Sequence, residues 1–312
     1  MPAEPSSRLA GARPVFFGAV LCCLLWGSAF PCIKIGYRLF DVASGDTASQ
    51  ILFAGCRFTI AGLMVLAAGS ALARRPLWPR RTALVPIALL ALTQTAAQYL
   101  LFYIGVARAS GVSASIINGA GAAVTILMTC LLFRTERLTP PKLAGCALGF
   151  GGVVVLNLAG GTEWGFAWNG EGFVLLATVA SALSTILIKR FSEREDPVLL
   201  SGWQFTCGGV LLTLCGLLFG GQLHPQSAAA WGLLGYLAFV SAAAYTLWGL
   251  LLHHNPVSGV SAYKCLIPLF GALLSAWWLH EGAALLRWQT AAALALVIGG
   301  ILCLTPRTRQ KT

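Results

Sequence analysis

Two cations, Arg57 and Lys264, lie inside long apolar runs of a 312-residue chain. A Lys or Arg at the centre of a membrane helix costs roughly 2.5–3.5 kcal/mol on insertion scales, so such groups are the first candidates for a site. Lys264 is seven residues into its run, about 10 Å along a helix. It is suited to holding a carboxylate or phosphate; the plainer alternative is a stem that snorkels its ammonium to the interface. Arg57 sits at similar depth in another run, with Asp41 and Asp46 as the acids placed to reach it. No Asp or Glu falls clearly inside a run, and Glu171 is at the edge of one. Many proton-coupled carriers use an intramembrane carboxylate, so the pattern points to a facilitator or an exchanger driven by solute gradients.

Uncharged polar groups give a second tier. Gln94 and Gln98 are four residues apart and share one α-helical face, with Tyr99 and Tyr103 one step round. An amide in hydrocarbon wants a partner, either a wetted cavity or another helix. Asn118 is followed by Gly119 and Gly121, which permit close helix approach or local unwinding. Tyr245 and Trp248 are three apart, and Trp26 is too deep in its run for an interfacial belt. Rings with a polar tip suit a mixed substrate and also suit packing. Pro31 after Gly27, and Pro268 with Gly271, are expected to bend their helices. Glu136 and Glu281 each stand just before the next helix, and Thr139-Pro140 is a plausible helix start. A carboxylate near a helix N-terminus is favourable, so both glutamates read as structural joints.

The elements that must position these residues follow from composition. The chain is 57% hydrophobic and 10% charged, against roughly 25% charged in soluble domains; lipid is the solvent that such a surface needs. Ten runs are long enough to span: 15–37, 49–72, 83–106, 112–133, 141–159, 171–190, 197–220, 230–251, 257–279 and 287–304. The Gly-rich fifth and the short tenth are the weakest. Short turns such as Gly160-Gly161, Gly220-Gly221 and Asn255-Pro256 join them. With the N-terminus inside, most of the 21 Lys and Arg fall on cytoplasmic segments, including Arg74, Arg75, Arg80, Arg81, Lys142, Lys189 and Arg307. That bias places both termini in the cytoplasm. The net charge of +11 comes in short clusters between runs rather than as a basic stripe, which excludes nucleic acid as a partner. The ten cysteines have neither zinc nor disulfide spacing and read as small packing residues. No metal box, nucleophile elbow or phosphate loop appears, so no cofactor and no enzymatic activity are expected. A non-transporting scaffold and a channel are the remaining rivals.

The chain repeats itself. One spacing relates Val112-Ser113 to Val257-Ser258 and Glu136 to Glu281, and Asn118 to Tyr263. Nearby, Arg57-Phe58-Thr59 matches Gln204-Phe205-Thr206, and Gly151-Gly152 matches Gly299-Gly300. Residues 15–159 and 171–304 are therefore expected to be two five-helix repeats. Five is odd, so the second enters the membrane from the opposite side, and inverted repeats of this kind form a site between them.

Trp26-Gly27-Ser28-Ala29-Phe30 with Lys34, then Arg57-Phe58, then the closing Glu136 and Glu281, with Pro268 thirteen residues before Glu281, stand in a specific order. In that order the chain resembles the drug/metabolite transporter superfamily, in particular its ten-helix members with two EamA-type repeats. Ala123, Ser181 and Lys264 depart from the pattern. The resemblance implies an all-α polytopic membrane protein of ten transmembrane helices in two inverted five-helix repeats. It implies a central cavity lined by helices one to four and six to nine, and a structural or gating role for Arg57. The implied function is export or exchange of small metabolites such as amino acids or organic anions across a bacterial inner membrane. Drug efflux is the alternative. A small-molecule substrate and the bilayer are the expected partners, and a homodimer is left open.

Overall fold

A computed structural model of the chain describes residues 9, 11–109, 111–158, 167–278 and 288–304. Among these the chain is helical throughout, with no strand. In hydrocarbon every backbone N–H and C=O must be satisfied within its own segment, so long apolar runs become helices. The elements are α1 (Ala12–Leu39), α2 (Thr47–Ala73), α3 (Arg81–Leu90), α4 (Gln98–Val106), α5 (Gly111–Gly119), α6 (Gly121–Leu127), α7 (Pro140–Leu158), α8 (Phe173–Phe191), α9 (Pro197–Leu218), α10 (Ala228–His254), α11 (Val257–Ser261), α12 (Leu266–Trp278) and α13 (Trp288–Leu304). Polar caps set several boundaries. The Asp46 carboxylate accepts from the Ser49 N–H at 3.0 Å, and Asp196 accepts from Val198 at 2.7 Å with Pro197 opening α9. Gly220, at φ 85°, turns the chain out of α9 where only glycine does so without strain.

Eight helical stretches among the described residues are long and apolar enough to cross a membrane. The expected fifth and tenth passes, α7 and α13, fall short of that measure but are apolar helices that pack along each other. The third, fourth and ninth passes are interrupted. Ala91–Ala97 is π-helical between α3 and α4, Met128–Leu132 is π-helical after α6, and Ala262–Cys265 is a 3₁₀ turn between α11 and α12. The expected unwinding after Asn118 occurs at Ala120, between α5 and α6.

The most extensive contact joins α2 and α9. Gly55 faces Thr213, Gly62 faces Thr206, and Gly69 faces Val198; one number rises as the other falls, so the helices run antiparallel. Gly209 faces Thr59 and Gly202 faces Leu66. Matching Gly62 to Gly209 and Thr59 to Thr206 sends one contact onto the other. Phe58 and Phe205, the matched aromatics, stack with centroids 5.4 Å apart at 14°. Such self-complementary exchange is what a two-fold axis between the helices produces. The threonines turn their hydroxyls inward along the helix: Thr59 donates to Gly55 O, Thr206 to Gly202 O and Thr213 to Gly209 O, each at 2.9 Å. Small residues on both sides then allow the backbones to approach closely, as membrane helices require. The α7–α13 pair repeats the device. Gly152 faces Ala293 O and Val297, while Gly300 faces Gly145 O and Gly149.

A Cβ at Gly62 or Gly209 would fall on the partner's backbone, whereas one at Gly232 meets nothing within 4 Å. Gly62→Val and Gly209→Val are each expected to cost about 1–3 kcal/mol by overpacking, and Gly232→Ala nothing. Thermal melts of the detergent-purified protein check this; equal melting of all three variants would remove α2–α9 from the centre of the fold.

Candidate functional site

Lys264 leaves the 3₁₀ turn toward α8. Its ammonium donates to the Thr185 hydroxyl at 2.9 Å and stands 5.8 Å from the centre of the Trp248 ring. Pro268, expected to kink the helix, instead occupies the first turn of α12, where a missing N–H is no loss. The break belongs to the 3₁₀ turn just before it.

From Trp248 a ladder of rings crosses the bundle. Trp248 is 5.1 Å from Trp26, and Trp26 is 4.9 Å from Tyr245. The Tyr245 and Tyr99 hydroxyls are 2.8 Å apart, and the Gln98 side chain reaches the same Tyr245 hydroxyl. Tyr99 packs 4.5 Å from Phe58, and Phe205 lies 5.0 Å from Tyr245. At the far end is Arg57, only 4% exposed, with its guanidinium 4.4 Å from the Phe58 ring and 5.7 Å from the Tyr99 ring. Neither expected acid reaches it: Asp46 caps α2, and the one ion pair among the described residues joins Lys142 and Glu136. Along this ladder Trp26 Nε1, Trp248 Nε1 and Arg57 Nε are buried without a hydrogen-bond partner.

The ladder thus gathers Trp26, Gln98, Tyr245, Trp248, Lys264 and Arg57. Other expected residues lie elsewhere. Gln94 lies in the π-helical segment and Gln98 opens α4 directly after it. Gln94 is buried within it, and its neighbour Thr95 donates to Gln204 on α9 at 2.8 Å. Asn118 is exposed beside the break at Ala120. Tyr263 turns to Phe16 on α1, 6.2 Å away, and its carbonyl accepts from the Cys23 thiol at 3.1 Å. Glu281 falls outside the described residues. Thr185 was not singled out; Tyr99 was named only beside the Gln94 and Gln98 pair, and Phe58 and Phe205 only through the repeat and the Arg57-Phe58 motif.

Glu136 acts on a different helix from the one expected. Its carboxylate accepts the Ser258 N–H at 3.2 Å and the Ser258 hydroxyl, capping α11, while Lys142 pairs with it at 2.7 Å. Asn255 adds to this end of the bundle, donating to Leu9 O at 2.9 Å. The opposite end is also bridged. The His224 N–H donates to Phe40 O at 3.0 Å, Gln226 to Leu39 O at 2.9 Å, and Gln222 to Ser49 Oγ at 2.9 Å. Contacts between the first and second halves of the chain therefore close both ends of the ladder.

Apolar passes around a polar, ring-lined interior define a membrane transporter. The profile of the EamA-like transporter family matches residues 13–158 and 168–305, and the chain belongs to that family. A probable terminal-alkyne amino-acid exporter of Streptantibioticus cattleyicolor is 28% identical over 295 residues, covering 93% of this chain and 92% of that protein. A probable amino-acid metabolite efflux pump of Salmonella typhimurium is 29% identical over 298 residues, 91% of this chain and 92% of the pump. One crystal structure superposes with a TM-score of 0.74 at 21% identity, covering 94% of this chain and 96% of its own; that likeness concerns the fold alone.

Burial by itself raises the Glu136 carboxyl, but the bonds from Lys142 and Ser258 outweigh it and hold the group below its usual value. A carboxyl lowered in this way adds stability above its unfolded pKa, roughly 4.3, and loses it as pH falls through the lowered folded value. Glu136→Gln is expected to cost on the order of 1–3 kcal/mol at pH 7 and to flatten the decline in melting temperature below about pH 4. A variant that melts like the parent at neutral pH would show that the joint carries no weight.

Proposed function

We propose that the chain is a secondary transporter that exports or exchanges small metabolites such as amino acids or organic anions by alternating access. The observation that carries this is Lys264: a cation at membrane depth that meets a hydroxyl and a ring face rather than an acid. A buried charge is normally paired, and the complement to an ammonium beside a mixed polar and aromatic wall is the anionic group of a cargo. Trp26, Gln98, Tyr245 and Trp248 would surround it; Gln94, Asn118 and Tyr263 would line the approach in other states. Residues 15–159 and 171–304 are proposed as the two inverted repeats, a reading supported by the antiparallel exchange contacts of α2 with α9. Arg and Lys placement supports both chain ends in the cytoplasm, and the family resemblance supports a bacterial inner membrane. The names of two relatives, an amino-acid exporter and an amino-acid metabolite pump, support the cargo class. Exchange or facilitation rests on the scarcity of carboxylates within the passes; Glu171, at the start of the sixth, is buried and accepts its own segment's Ala167 N–H at 3.0 Å.

Counterflow in proteoliposomes tests this. Liposomes preloaded with unlabelled amino acids or organic carboxylates should transiently accumulate the labelled solute, and Lys264→Met should raise the apparent KM at least about ten-fold. An unchanged KM removes Lys264 from the site. Flux that stops when an imposed pH gradient is collapsed replaces exchange by proton coupling.

A further inference from the structure

We infer that Arg57 is a second anion-binding residue, at the opposite end of the ring ladder from Lys264, and takes a carboxylate of the cargo rather than merely packing helices. The inference rests on the carrier reading above and narrows its cargo to organic carboxylates with an apolar or flat body. An arginine stays charged in a protein and offers only donors. One that serves packing alone is expected to hold a carboxylate or carbonyl oxygens. Arg57 is held by the Phe58 and Tyr99 rings and by contact with the Tyr99 hydroxyl, and its Nε–H has no partner. Ring faces attract a cation but do not neutralise it. The indole N–H groups of Trp26 and Trp248, also unmet, are likewise donors only. The Tyr37 hydroxyl, unmet as well and close enough to interact with Arg57, can donate or accept. A buried set weighted this far toward donors is complementary to an acceptor-rich anion. The geometry also separates the two cations: Lys264 is seven residues from the start of α11, at the end where α1 begins, and Arg57 is ten residues into α2 from the end where α1 finishes. Between them Trp248, Trp26, Tyr245 and Tyr99 give an unbroken wall of rings against which an apolar body can lie.

The test uses full-length protein in detergent, in gluconate buffer, read by intrinsic tryptophan fluorescence and thermal shift. Phenylacetate, 2-phenylethanol and phenethylamine are the probes; they share a ring and differ in charge. Saturable binding of phenylacetate alone is expected, with at least about ten-fold weaker affinity in Arg57→Gln and partial retention in Arg57→Lys. Equal binding of the three probes overturns the inference, as does an Arg57→Gln affinity equal to the parent's, or a response to chloride alone that phenylacetate does not add to. If Arg57→Gln does not purify as a folded protein, Arg57→Lys and the probe series on the parent decide. Counterflow that persists while Arg57→Gln binds phenylacetate normally strikes this inference and spares the carrier; anion-selective binding without counterflow does the reverse.

Discussion

At membrane depth a donor that misses its acceptor has no water to turn to, and this constraint organises the protein. Threonines of α2 and α9 answer it within their own helices by donating four residues back. Thr95 and Gln204 answer it across a helix pair. The ladder of Trp26, Trp248 and Arg57 leaves it unanswered, and that is where two cations stand without acids. Unmet donors from three helices converge on this row of rings, and together they mark the proposed site more sharply than any one residue does.

Holding such a chamber needs a rigid axis and ends that can part. The glycine-faced contact of α2 with α9 supplies the axis, with Phe58 stacked on Phe205 at its centre and beside the ladder. The ends are joined by fewer and more polar contacts: the Glu136 cap on α11 at one, and backbone bonds from His224 and Gln226 to the α1–α2 turn at the other. Polar contacts of this size can open and re-form at modest cost, whereas the glycine contact is close-packed and resists gradual deformation. The division of labour matches rocking of one half against the other around a fixed site.

Much of the fold was legible because lipid forces a simple code: apolar length gives helices. Phe58 and Phe205, matched in the proposed repeat, touch across α2 and α9. What was not legible is helical phase. Nothing in the composition of Ala91–Ala97 marks it as π-helical. Asn118 aligned with Tyr263, but the break at Ala120 leaves Asn118 exposed while Tyr263 is turned to α1. Glu136 was recognised as a helix cap by its place in the chain, and α11 rather than α7 proved to be its partner, because a cap acts through space. A structural or gating role for Arg57 came from the family resemblance; of the acids placed to pair with it, Asp46 is used up at Ser49.

Alternating access is tested most directly by double electron–electron resonance on the full chain, with the exposed Cys207 and Cys303 replaced by serine. One spin-label pair at Arg137 and Gly259 brackets the Glu136 end; another at Gly45 and Gln226 brackets the end where α1 finishes. Added cargo should lengthen one distance while the other shortens. Distances that both stay fixed, or lengthen together as in an opening pore, would contradict a carrier.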